Sequence, residues 1–224
     1  MTVHSVIYAF ISSFIALFPV VNPIGSGFIV NGFLEELDDA QRKAMIKKII
    51  INSLSIAIGA LLLGHLIMLI FNLEMPIIQV AGGILICKTG LGWLSDPGTT
   101  NPEVSDETTS KISIKNIESK IFYPISFPII IGAGSISVIF TLMATTSDKD
   151  NLLKTVVNYI MIILAIFVMC VILYIILLQG HKITKKLGSS GNMIINKLIA
   201  FFTFCIGIQI LVMGISKIFH INVL

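Results

Sequence analysis

Six apolar runs, near residues 5–31, 46–71, 76–95, 119–144, 153–178 and 194–217, occupy most of this 224-residue chain. A hydrocarbon layer about 30 Å thick takes about 20 apolar residues in a helix, so each run can cross a bilayer. In lipid the backbone must satisfy its own hydrogen bonds, as a helix does. Composition agrees, with 12% charged residues where a soluble domain carries roughly 25%. The expected fold class is all-α: a six-transmembrane-helix integral membrane protein surrounded by membrane lipids. The longest polar stretch, Ser95 to Glu118, is rich in Pro, Gly, Thr, Asp and Glu. It reads as a linker, 96–118, between two halves, 1–95 and 119–224. The first run lacks a basic segment before it and a small-residue cleavage pattern after it, so it is expected to be retained rather than removed as a signal peptide.

Charge sets the expected topology. Arg42, Lys43, Lys47 and Lys48 follow run one, Lys111, Lys115 and Lys120 follow run three, and Lys182, Lys185, Lys186 and Lys197 lie between or beside runs five and six. These alternate loops share one side; the other side receives Lys149, Lys154 and Lys217. The excess of basic residues places those loops in the cytoplasm and both termini outside. Orientation therefore accounts for the net charge of +3, and no nucleic-acid partner is expected. Cys87, Cys170 and Cys205 are scattered through apolar runs, without the paired spacing of a disulfide framework or a metal site. Neither a metal nor a cofactor is expected.

Inside this frame lies a repeat. Pro19 and Pro23 recur 105 residues later as Pro124 and Pro128, in Phe18-Pro19-Val20-Val21-Asn22-Pro23-Ile24-Gly25 and Tyr123-Pro124-Ile125-Ser126-Phe127-Pro128-Ile129-Ile130. Each proline removes a backbone donor and crowds the preceding turn, so runs one and four should be broken near membrane depth. Three spans per half force the second copy to enter from the opposite face. The expectation is two inverted three-helix repeats with broken helices 1 and 4, and such matched interruptions point to a transporter's binding site. Asn52 and Asn158, and Cys87 and Cys205, are weaker echoes that chance repetition explains equally well.

Asn22-Pro23-Ile24-Gly25, Gly82-Gly83-Ile84-Leu85 and the segment Phe127-Pro128 through Ser137 resemble the MarC family of six-helix inner-membrane proteins, almost end to end. The family is also called the neutral amino-acid transporter family. The resemblance implies movement of small zwitterionic amino acids across the bacterial cytoplasmic membrane. Where that family usually has a proline-glycine pair, this chain has Gly132-Ala133-Gly134, which implies a softer break.

A helix that restarts in the membrane offers unpaired N–H groups and a partial positive end, and one that stops offers carbonyls. Together they suit a zwitterion or a coupling cation, H+ or Na+. The restarts are expected near Gly25-Ser26-Gly27 and Gly134-Ser135. The candidate substrate-binding residues are Asn22, Pro23, Gly25, Ser26, Gly27, Ser126, Pro128, Gly132, Gly134, Ser135 and Ser137. The competing reading is that these prolines and glycines only kink packed helices. Lys88 is a charge within run three, either functional or snorkelling to the cytoplasmic surface. His65 is either a proton relay or an interfacial side chain. Gln79, Asn158 and Gln209 are read first as interhelical hydrogen-bond partners. Glu35, Glu36, Asp38 and Asp39 read as the capped start of a helix.

There is no phosphate-binding loop for primary transport, and no His-Glu-x-x-His, Gly-x-Ser-x-Gly or paired intramembrane aspartate for an intramembrane enzyme. The reading is a secondary transporter or exporter of a small metabolite, most simply neutral amino acids, with a structural or assembly protein as the alternative and an intramembrane enzyme as a weaker one. Oligomeric state is left open.

Overall fold

The computed structural model describes residues 3–34, 37–95, 118–146 and 152–220. All but Glu118 of the expected linker 96–118 lies outside the described residues. Seven helical elements follow in order: α1 (Val3–Val21), α2 (Pro23–Phe33), α3 (Asp39–Ile70), α4 (Met75–Ser95), α5 (Ile121–Ile130), α6 (Ala133–Thr146) and α7 (Leu152–Ile218). Five stretches are long and apolar enough to cross a membrane: His4–Val21, Asp39–Gly64, Met75–Ser95, Leu152–Gln179 and Lys197–Ile218. The pair Glu118–Ile130 and Ala133–Met143, bent by 60°, is the sixth when counted as one broken span.

Local chemistry starts and stops these helices. Asp38 accepts from the Gln41 N–H at 2.8 Å while its own N–H donates to the Gln41 side chain at 3.4 Å, a reciprocal cap that begins α3. That cap includes one of the expected acidic residues; Glu35 and Glu36 lie outside the described residues. Helical turns run through all 67 residues of α7, the stretch between runs five and six included, so the connection expected there as a loop is made of helical turns.

A straight helix of that length would reach about 100 Å, with Leu173 and Thr203 about 45 Å apart. Yet Leu173 shares a cavity with Leu17, and the Thr203 hydroxyl donates to the Pro19 carbonyl at 2.8 Å, two residues further along α1. α7 must therefore double back between its two apolar segments. Its second segment runs antiparallel along α4: Gly83 faces Gly207 and Leu211, Gly90 faces Ala200 and Phe204, and Gly214 faces Pro76 and Val80. A Cβ on Gly83 would lie 2.7 Å from the Leu211 nitrogen, so these glycines are what allow the two backbones to close.

Contact order fixes the other directions. α6 runs antiparallel to α4, with Gly134 beside Ile86 and Ser137 beside Gly82. α3 runs parallel to the α5–α6 unit, as the Ser126 hydroxyl lies 3.4 Å from the Ile49 carbonyl and Gly64 packs on Phe140 and Met143. At one end, Lys48 pairs with Glu118 at 2.7 Å, Arg42 donates to the Leu177 carbonyl at 3.0 Å, and Lys197 donates to the Leu94 carbonyl at 2.6 Å. The starts of α3 and α5, the end of α4 and the reversal of α7 thus share this basic end. The core holds Leu17, Ile46, Ile49, Leu61, Ile86, Ile139 and Ile162, while Ile15, Leu66, Ile84, Ile160 and Phe167 face outward. An exterior this apolar is stable only against lipid.

Candidate functional site

The first break falls at Asn22. Pro23 has no N–H, so the Pro19 carbonyl loses the partner that a continuous helix would supply. Asn22 adopts φ 45° and ψ 65°, and its side chain accepts from the Gly25 N–H at 2.9 Å. Asparagine tolerates this left-handed conformation and caps well, and proline is favoured as the first helical residue. The helix consequently restarts at Pro23, two residues before the expected Gly25. The Asn22 carbonyl accepts from the Ser26 N–H at 2.9 Å and the Ser26 hydroxyl at 2.7 Å. Gly25 leaves room for the Asn22 amide, which a Cβ there would strike. Gly27 lets Ile176 of α7 approach. The Pro19 carbonyl receives the Thr203 hydroxyl. Asn22 and Ser26 are almost completely buried, and the Asn22 amide oxygen and carbonyl and the Ser26 hydroxyl are used within the break.

The second break is built differently. Tyr123 and Phe127, each preceding a proline, leave helical geometry for extended φ/ψ, as the proline ring requires of its neighbour. The turn is wide: the Ile131 N–H reaches back five residues to the Ser126 carbonyl at 3.1 Å. The Ser126 hydroxyl donates to the Ile121 carbonyl at 2.8 Å. Ile131 and Gly132 separate α5 from α6, and the first α6 turn closes with Ile136 N–H to the Gly132 carbonyl at 3.1 Å. Gly132 has no side chain with which to cap the α6 start, in contrast to Asn22.

The two breaks meet. A Cβ on Gly134 would lie 3.3 Å from Val20 and 3.1 Å from Ile86. Val21, the last residue of α1, and Ile130 and Ile131, at the end of α5, line one cavity of about 10 Å³, completed by Leu17, Ala57, Ile139, Ile166, Met169, Cys170 and Leu173. This is room for about one water, and every lining residue is apolar.

None of the eleven candidate residues lines that cavity. Asn22, Pro23, Gly25, Ser26 and Gly27 cluster in the first break, all buried. Ser126, Gly132, Gly134 and Ser135 belong to the second, whereas Pro128 is exposed. Ser137 turns toward α4, donating to the Ile78 carbonyl at 3.3 Å and packing on Gly82. Lys88 is exposed, on a different side of α4 from buried Ile86 and Gly90. His65 lies on α3, and its side chain is outside the described residues. Gln79 is fully buried, Asn158 donates to the Thr146 carbonyl at 2.9 Å, and Gln209 is exposed. Thr203, which serves the Pro19 carbonyl, escaped the sequence reading; its signal is a hydroxyl alone among Phe201, Phe202 and Phe204.

A sequence profile described as MarC family integral membrane protein matches residues 7–219. The chain is 26% identical over 212 residues to UPF0056 membrane protein MJ1677 of Methanocaldococcus jannaschii, covering 92% of this chain and 95% of that protein. It is 23% identical over 220 residues to UPF0056 inner membrane protein MarC of Escherichia coli O157:H7, covering 93% and 94%. Neither name denotes an enzyme. No solved structure matches the chain significantly.

Proposed function

Because the chain belongs to the MarC family of integral membrane proteins, we propose that it is a secondary transporter or exporter of a small metabolite, most simply a neutral amino acid, working by alternating access around its two interrupted helices. The observation that carries this reading is the meeting of both breaks on one cavity, with Val21 from the first and Ile130 and Ile131 from the second. The apolar wall of that cavity suits the apolar side chain of a small solute. A cavity of about 10 Å³ is too small for such a solute, so this is a closed state and transport requires it to widen. In this reading the halves 1–95 and 119–224 are inverted repeats, and H+ or Na+ supplies the driving force. The protein sits in a bacterial inner membrane, as the name of the Escherichia coli relative supports, with both termini outside.

The test is uptake and efflux of labelled alanine and leucine in proteoliposomes, with and without imposed proton and sodium gradients. Gradient-dependent flux is expected, falling strongly in Ala57→Leu, which fills the cavity, and in Gly134→Leu, which wedges the breaks apart. The small size of the cavity favours a second reading, a structural or assembly protein. Absence of flux from folded wild-type protein across a panel of neutral amino acids would select it.

A further inference from the structure

The α4–α6 seam contains polar atoms that the packing leaves unused. Gln79 on α4 is fully buried, and neither Nε2 nor Oε1 has a hydrogen-bond partner among the described residues. Thr141 on α6 is 7% exposed, and its hydroxyl is likewise unpartnered. The seam is antiparallel, with Gly134 at Ile86 and Ser137 at Gly82, so the next turn of α6 brings Thr141 to the level of Gln79. Ser137, one turn away on the same α6 face, donates to the Ile78 carbonyl beside Gln79. Lipid and core offer no water to such groups, and native proteins rarely leave a buried amide unsatisfied at both atoms.

We propose that Gln79, Thr141 and Ser137 form a binding site for the polar part of a small net-neutral solute that carries a hydrogen-bond donor and acceptor together, as an α-amino acid zwitterion does. The Gln79 amide donates through nitrogen to a carboxylate and accepts through oxygen from an ammonium group, and the Thr141 hydroxyl can do either. None of the three residues is charged, and the charge on α4, Lys88, is exposed, so a ligand with net charge would go uncompensated. In this structure the seam is closed by Ser137 seated on Gly82. It opens when α6 swings about Ile131 and Gly132, where the chain already bends by 60°. The inference rests on the transport reading for its class of solute and adds the residues that hold the solute's head.

The experiment measures binding of labelled alanine and leucine to the purified full chain in detergent, beside flux in proteoliposomes and thermal unfolding. Gln79→Leu and Thr141→Val should each weaken binding at least about tenfold, while Thr141→Ser stays near wild type. Because the Gln79 amide makes no bond in the closed state, Gln79→Leu should leave Tm unchanged or raised. Wild-type flux with unchanged binding in Gln79→Leu overturns this site and leaves the transport reading standing, the unused atoms then being served by water. Binding lost together with a lowered Tm marks Gln79 as structural and also overturns it. A wild type that neither binds nor moves any neutral amino acid overturns both.

Discussion

Asn22 holds a conformation that most side chains avoid, and its own amide oxygen then satisfies a donor that the break would leave open. Two costs therefore separate by substitution. Asn22→Ala loses the cap and keeps the left-handed strain, for an expected loss of about 2 kcal/mol. Asn22→Gly loses the cap alone, for only a few tenths of a kcal/mol, so its Tm should lie well above that of the alanine variant. Thr203 makes a companion case, because its hydroxyl occupies the Pro19 carbonyl that Pro23 cannot serve. Thr203→Val should cost about 1 kcal/mol by leaving that part-buried carbonyl without its partner, and Thr203→Ser should restore most of it, read as Tm in detergent.

Among the elements, backbones approach most closely where α4 meets the second segment of α7, where a Cβ on Gly207 would lie 2.7 Å from both the nitrogen and the sulfur of Cys87. Backbone cannot yield as the tip of a side chain does, so Gly207→Leu should destabilise by about 1–3 kcal/mol or prevent folding. Gly59 has nothing within 4 Å of its Cβ position. Gly59→Ala should therefore gain about 0.5–1 kcal/mol from helix propensity, and thermal unfolding of the pair separates packing from propensity. The reversal of α7 has its own measurement: spin labels near Leu173 and Thr203 should read well short of the about 45 Å of a straight helix.

For the whole molecule, the exposed apolar belt and the gathered basic end determine how the bundle lies in a membrane. Lys48 with Glu118, Arg42 with Leu177 and Lys197 with Leu94 mark one end. By the excess of basic residues that end is expected in the cytoplasm. Single cysteines at Lys48 and at Asn72, in the turn between α3 and α4, should react with membrane-impermeant maleimide from opposite sides, Asn72 from outside in intact cells. The reverse pattern would invert the proposed topology.

The sequence by itself determined the membrane-spanning helices and the positions of both breaks. Those follow from local rules: apolar length, and prolines that lack a donor wherever the chain takes them. It also named Asn22, Gly25 and Ser26, but not their use, since only the fold shows that the Gly25 gap receives the Asn22 amide. The reversal of α7, the seating of Ser137 on Gly82, the service of Pro19 by a threonine 184 residues away and the apolar cavity between the breaks were decided by tertiary structure alone. Each depends on which helix faces stand opposite one another, and hydropathy along a chain buried in lipid says little about that, because a residue touching lipid and one touching another helix can be equally apolar.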